Sequence, residues 1–305
     1  MMKFHKIFLL GAGAIGNFYG ALLSKKSDVT LLGEREHIKK INSEGLKVKI
    51  GEKEEIFKIK GKEKIENIPP KTLILLTTKV HQSTGAIKSI KNLIRKDTII
   101  LILQNGLGNE DLVKRIIGKK CKVERGIVYS ASEFLKPGKI KVWPKKTILP
   151  LNKIGKEIAE IFKEAGLMVE LTKEIKKEIW KKLVVNCVLG PLAALFKIRN
   201  NEVASMPLKR VRELLIKECL EAARAEGINI NGNFKKEFEE KISTYTNYPS
   251  MCQDIMKGKK TEIDFLNGKI IELAKKHRLE TPANEIIYYL IKFLELSNHA
   301  SPPPI

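Results

Sequence analysis

The sequence predicts an α/β protein in which a Rossmann-like, doubly wound, mostly parallel sheet is followed by an all-helical domain. Three observations carry this expectation. The apolar run FHKIFLL leads directly into GAGAIG at Gly11–Gly16, then a small-residue helix, then the apolar strand DVTLL about twenty residues on. The runs LILLTT and TIILIL are apolar throughout, as strands covered on both faces must be. Beyond about Thr172 no strand reads clearly and helical periodicity takes over.

Taken in order, strands are expected at residues 4–10, 28–32, 46–50, 56–59, 72–77, 98–103 and 123–128, with helices at 17–23, 86–94 and 110–116. Helices are then expected at 173–196, 207–226, 233–244, 261–278 and 283–296, and the tail SPPPI cannot continue a helix. The 305 residues allow two domains. These are a dinucleotide-binding domain over 1–171 and a helical substrate-binding and dimerisation domain over 172–305, with a cleft between them as the natural active site.

Composition narrows the function classes. Apolar residues make up 43% and charged residues 30%, the balance of a soluble globular chain rather than a disordered or fibrous one. No uninterrupted apolar run approaches the roughly 18 residues of a membrane span. No membrane partner is therefore expected. The N-terminus reads as a first strand rather than an export signal, so a cytoplasmic protein with four reduced cysteines is expected. The cysteines are scattered and the histidines unclustered, which argues against a metal site. The net charge of +22 would suit a polyanionic partner. The lysines, however, are spread along the chain beside glutamates, so nucleic acid is not expected as a partner.

The motifs point to dinucleotide chemistry. Gly11 permits a tight turn, Gly13 lets a pyrophosphate approach the backbone, and Gly16 lets the helix pack closely, with the helix N-terminus facing the phosphates. Gly11, Ala12, Gly13, Ala14, Ile15 and Gly16 are thus the expected phosphate contacts. At the end of the second strand, Glu34 suits a free ribose 2′-hydroxyl whereas Arg35 suits a 2′-phosphate, which leaves NADH and NADPH both open. TTKVHQ at 77–82 and QNGLGNE at 104–110 follow apolar strands, at the edge where open sheets bind ligands. Lys182 and Asn186 lie one turn apart on one helical face among apolar neighbours, where a desolvated lysine becomes a usable proton donor to a carbonyl. Glu262 reads either as the partner of that lysine or as an early-helix acid after a Thr261 cap, sharing a face with Leu266.

These residues, taken together, resemble the ketopantoate reductase family over nearly the whole chain. The matching elements run in family order: GAGAIG, TTKVHQ with Lys79, QNGLG with Asn105, WKKLVVNCVLGPLAAL, the loop ending NYPSM, and QDIMKGKKTEIDFLNG. The resemblance implies reduction of 2-dehydropantoate to (R)-pantoate by NADPH or NADH, on the route to pantothenate and coenzyme A. It implies that Lys182 and Glu262 are catalytic and that Asn105, Asn186, Asn200, Asn247 and Ser250 line the substrate. It also places Lys79, Asn105 and Glu262 near the cofactor, and a homodimer is expected. Two departures stand out: Glu34 falls where many members carry arginine, and Gly190 where many carry asparagine. A reductase of another short 2-keto acid and a non-catalytic dinucleotide-binding regulator are the competing readings.

Overall fold

The computed structural model describes residues 4–230 and 232–297, which form two compact units. The first comprises Met1–Gln104 and Gly108–Ile175; the second comprises Lys176–Ile305 together with the tripeptide Asn105–Leu107. The tail at 301–305 lies outside the described residues.

The first unit begins β1 (Lys6–Leu10), α1 (Ala14–Leu23), β2 (Val29–Leu32) and α2 (Arg35–Glu44). It continues β3 (Leu46–Ile50), β4 (Lys53–Phe57), β5 (Lys60–Lys62), β6 (Thr72–Leu76), α3 (Ser83–Ile90), β7 (Ile99–Ile102) and α4 (Asn109–Ile117). The last part is β8 (Lys122–Arg125), β9 (Ile127–Val128), β10 (Ala131–Lys136), β11 (Lys139–Trp143), β12 (Thr147–Pro150), α5 (Lys153–Glu164) and β13 (Val169–Thr172).

Six strands form a wholly parallel sheet in the order β5-β2-β1-β6-β7-β8. The apolar strands feed two cores by alternation. Ile7, Leu9, Leu73, Leu75, Ile99 and Leu101 point into one core, while Phe8, Leu10, Ile74, Leu76, Ile100 and Ile102 point into the other. This is why these strands carry no polar face. The chain winds outward in one direction from β1 through β2 and in the other from β6 through β7, so the ligand-binding edge of such a sheet falls between the ends of β1 and β6.

Several expectations are corrected. Residues 46–50 and 56–57 leave the parallel sheet and join a second sheet, ordered β10-β11-β3-β4, in which β3 pairs parallel with β11 and antiparallel with β4. The expected strand at 123–128 is split at Gly126, where a Cβ would sit 2.8 Å from Leu103 and 2.9 Å from Leu149. The half before the glycine pairs with β7; the half after it pairs antiparallel with β12 in a third sheet. The helices α2 and α5 are additions to the elements read from sequence.

The second unit is helical: α6 (Ile175–Phe196), α7 (Lys209–Ala225), α8 (Phe234–Ile242), α9 (Ser250–Met256), α10 (Asn267–Lys276) and α11 (Pro282–Ser297). The helix expected over 261–278 is interrupted. Residues 263–265 form a 3-10 turn and α10 starts only at Asn267, so Glu262 and Leu266 do not share one helical face. By length and composition alone, α6 meets the test for a membrane span. Most of its apolar stretch is buried, and Leu183, Val184, Cys187, Val188 and Leu192 form the centre of the helical core.

Candidate active site

In the first unit, the turn after β1 is built on glycines with different physical reasons. Gly11 has φ 122°, and a Cβ there would lie 2.4 Å from the Thr78 amide nitrogen, so only glycine fits. At Gly16 a Cβ would lie 2.0 Å from the Gly11 carbonyl oxygen and 2.7 Å from Thr77 Oγ1. Gly13 differs. It has φ −74°, and a Cβ there would meet nothing within 4 Å. Neither backbone angle nor packing within the chain asks for glycine at this position, so the position suits close approach by an external phosphate. Gly13 is the N-cap of α1, whose first turn carries no acidic residue and whose first amides have no acceptor inside the helix.

The surrounding strand ends hold this turn in place. Thr77 Oγ1 donates to the Gly11 carbonyl at 2.8 Å, and the amides of Gly11 and Ala12 donate to the Leu32 carbonyl at 3.2 and 2.7 Å. Gly33, which follows β2, packs so close that its Cβ would lie 2.6 Å from that of Ala12. Glu34 is therefore the first side chain of any length beyond the glycine turn. It is exposed at the N-cap of α2, and the Arg35 guanidinium beside it lies 4.0 Å from Glu63. Lys79 is half-buried at the N-cap of the short 3-10 turn after β6.

Sequence reasoning missed an anchor at the end of β7. The Gln104 side chain donates to the Thr78 carbonyl at 2.6 Å and to Ser83 Oγ at 2.7 Å, while Arg125 Nη2 donates to the Gln104 carbonyl at 2.6 Å. Gln104 is the last residue packed in the first unit before Asn105 joins the second. The strand-then-amide pattern of LILQN is the signal available for it.

In the second unit the structure brings Asn105, Asn186 and Glu262 together. The Asn186 amide donates to Asn105 Oδ1 at 3.3 Å, and the Asn105 amide donates to Glu262 Oε2 at 3.4 Å. Glu262 is buried, 6% exposed, so its carboxylate is placed where its polar partners rather than bulk water set its geometry. Lys182 lies on α6 one turn before Asn186, on the same face and half-buried. Gly106 has φ 80°, and its Cβ would lie 2.6 Å from the Phe265 carbonyl, so the tripeptide packs tightly on the turn that carries Glu262.

A proline arranges this meeting. Pro191 inside α6 has no amide hydrogen for the Cys187 carbonyl, and Asn267 Nδ2 donates to that oxygen instead at 3.0 Å. Asn267 opens α10, five residues after Glu262. At the other side of the same segment, the Thr261 amide donates to Glu295 Oε1 at 2.7 Å. The Glu262 turn is thus fixed at both ends.

Asn200 and Asn247 form a separate pair. The Asn200 backbone N–H donates to the Asn247 main-chain carbonyl at 3.1 Å, and the buried Asn200 Oδ1 has no hydrogen-bond partner among the described residues. Ser250 is exposed at the first position of α9, a helix where a turn-rich loop was expected. Gly190 faces α9, its Cβ position lying 3.5 Å from Met251, so the side chain of Met251 occupies the space beside it.

Two family models match the chain: Ketopantoate reductase PanE/ApbA over residues 7–149 and Ketopantoate reductase PanE/ApbA C terminal over residues 174–295. The chain belongs to the ketopantoate reductase family. Among relatives in this family, a 2-dehydropantoate 2-reductase of Pyrococcus abyssi is 36% identical over 94% of this chain and 97% of its own length. The enzyme of the same name from Aquifex aeolicus is 32% identical over 96% and 98%. Among solved structures, a PanE/ApbA family ketopantoate reductase of Ralstonia eutropha superposes with a TM-score of 0.88 at 26% identity, covering 97% of this chain and all (100%) of that one. A D-mandelate dehydrogenase solved with NADH and anilino(oxo)acetate superposes with a TM-score of 0.86, also at 26% identity, with coverage of 97% and 100%. The ketopantoate reductase family is thus matched across both units.

Proposed function

We propose that this chain reduces the keto group of 2-dehydropantoate to (R)-pantoate at the expense of a nicotinamide dinucleotide, with Lys182 and Glu262 as catalytic residues. The observation that supports this most is the buried Glu262, tied through Asn105 to Asn186 one helical turn beyond Lys182. A reduced nicotinamide dinucleotide, which Gly11 to Gly16 would hold by its phosphates, would supply the hydride. Lys182 polarises the carbonyl and gives its proton to the oxygen, leaving a neutral amine that regains a proton from water. Glu262 orients the lysine and accepts from a substrate hydroxyl, and Asn105 and Asn186 position the reacting group. Asn200, Asn247 and Ser250 are assigned to the substrate, and Gly11 to Gly16 and Lys79 to the dinucleotide.

The cofactor reading is NADH over NADPH. Glu34 stands next beyond the glycine turn, where a carboxylate accepts from a ribose 2′-hydroxyl and repels a 2′-phosphate, and Arg35 has Glu63 as a neighbour. Loss of 340 nm absorbance with 2-dehydropantoate and each reduced dinucleotide tests both statements. Oxidation with neither would remove 2-dehydropantoate as the substrate, and a preference for NADPH would remove the role of Glu34. Lys182→Ala is expected to lower kcat by roughly 10² to 10⁴ with the dinucleotide Kd unchanged. Unchanged turnover would end the assignment.

The likeness to D-mandelate dehydrogenase favours a second reading, in which another 2-keto acid is the better substrate. Met251 beside Gly190 makes that part of the unit apolar rather than amide-lined. Comparing kcat/KM for 2-dehydropantoate with that for the keto acid of mandelate separates the two.

For the assembly, the reading is a homodimer through α11. Ile286, Tyr289, Phe293 and Leu296 are 61%, 66%, 67% and 71% exposed and form one stripe on a helix whose few charges contrast with a chain of net +22. A second copy offers an equally charge-poor face. Light scattering should give twice the chain mass, and Phe293→Glu should halve it; a monomeric wild-type chain would overturn the reading.

A further inference from the structure

A buried chain of hydrogen bonds runs behind the glycine turn and uses residues to which the reading above gives no role. Asn17, in α1, is fully buried at 0% exposure, and its Nδ2 donates to the Ala12 carbonyl at 2.9 Å. His37, in α2, is also buried, and its Nε2 lies 2.9 and 3.2 Å from the two ends of the Asn17 amide. The other ring nitrogen, Nδ1, accepts from the Gly138 amide at 3.0 Å, and the ring is stacked at 4.9 Å against Phe134.

The geometry fixes the tautomer. A backbone N–H occupies Nδ1 as an acceptor, so a neutral ring carries its hydrogen on Nε2, and Nε2 donates to Asn17 Oδ1. The Asn17 amide is oriented in turn, because an Nδ2 hydrogen goes to the Ala12 carbonyl, which leaves Oδ1 as the acceptor for the ring. The donors run in one direction: Gly138 to His37, His37 to Asn17, Asn17 to Ala12.

The two ends of this chain are functionally distinct. Ala12 lies in the turn assigned to the pyrophosphate, whereas His37 stands three residues after Glu34, the acid assigned to the ribose. We propose that Asn17 and His37 are positioning residues that lock the phosphate-binding turn and the ribose-reading start of α2 into one rigid dinucleotide cradle. This rests on the dinucleotide reading above. A core packing role alone would ask only for shape at these positions, whereas the relay asks for an acceptor facing Gly138 and a donor facing Asn17. Glutamine can supply both; leucine supplies neither.

The test is the dissociation constant for NADH and NADPH, measured by fluorescence titration of purified full-length wild-type, His37→Gln and His37→Leu chains, each first shown by its melting curve to be folded. His37→Leu is expected to bind NADH roughly tenfold more weakly, as loss of one buried hydrogen-bond chain implies. It should also show a narrowed NADH to NADPH ratio, with His37→Gln within about threefold of wild type. A His37→Leu chain that melts earlier yet binds both dinucleotides as wild type does would overturn the relay. So would equal damage in the glutamine and leucine variants. If the leucine chain does not fold, Asn17→Asp decides through the same titration: its carboxylate accepts from His37 and repels the Ala12 carbonyl, so binding should weaken, and unchanged binding would count against the proposal. A wild-type chain that binds neither dinucleotide would instead remove the reading on which the relay rests.

Discussion

The three glycines of the nucleotide turn look interchangeable as letters, but each answers to a different force. Gly16 is required by the chain itself, since any Cβ would meet the Gly11 carbonyl at 2.0 Å. Gly13 has free space around it and a backbone angle that alanine tolerates. Gly13→Ala is therefore expected to leave the melting temperature unchanged or slightly raised, by the roughly 0.4–1 kcal/mol that a less flexible unfolded chain contributes, while weakening dinucleotide binding. Gly16→Ala should lower the melting temperature directly. Calorimetry paired with titration checks both, and an alanine at 13 that binds dinucleotide as tightly as wild type would remove the phosphate reading. At this scale much is legible: spacing and resemblance point to Asn105, Asn186 and Glu262, and the fold brings those three together. The Gln104 anchor and the His37–Asn17 relay are not, because Gln104 reaches Ser83 across 21 positions and His37 reaches Asn17 across 20, and nothing local marks either pair.

Among the elements, the segment from Thr261 to Asn267 depends on two remote helices. Asn267 bonds both the carbonyl freed by Pro191 and Asn284 Oδ1, and it is wholly buried. Asn267→Leu leaves the Cys187 carbonyl unpaired and Asn284 Oδ1 with only the weak Cys219 thiol as donor, and it is expected to cost about 1–3 kcal/mol of stability, read as a fall in the denaturant midpoint. If the remaining folded protein keeps its kcat, Asn267 is a structural tie only. The helix α2 supplies a pH dependence. Burial holds His37 below the usual histidine value of 6.5, against the opposing pull of Glu34. The folded chain thus binds this proton less readily than the unfolded chain does, so stability is complete above about pH 6.5 and is lost as pH falls toward the lowered value. The melting temperature should drop between about pH 7.5 and pH 5.5, and His37→Gln should flatten that part of the curve. The misread elements have specific causes. α2 buries only His37, Ile38 and Ile41 among ten mainly charged or polar residues, too thin a stripe to stand out. α9 is short and follows Pro249, which read as loop. The interruption at Leu266, with φ −111° and ψ −100°, is marked locally only by the Asn267–Gly268 dipeptide that follows it, inside otherwise helical periodicity. It follows from tertiary ties at Thr261 and Asn267.

Over the whole molecule, the division into a parallel-sheet unit and a helical unit was readable because strand runs stop and helical periodicity begins. What no composition shift could show is that three residues of the first half belong by packing to the second. Asn105 contacts Asn186 and Glu262, and Leu107 packs on the helical core. The helical unit is consequently discontinuous in sequence. Recombination between relatives must respect this. A chimera joined at residue 175 would combine one parent's Asn105–Leu107 with the other parent's Glu262 turn, and it should melt earlier and turn over more slowly than one that transplants 105–107 together with 176–297. Equal behaviour of the two chimeras would show the tripeptide to be portable. Otherwise the heritable unit of this fold is not either half of the chain but the second half plus a splice from the first, and shuffling that ignores the splice will be selected against even when both parents are sound.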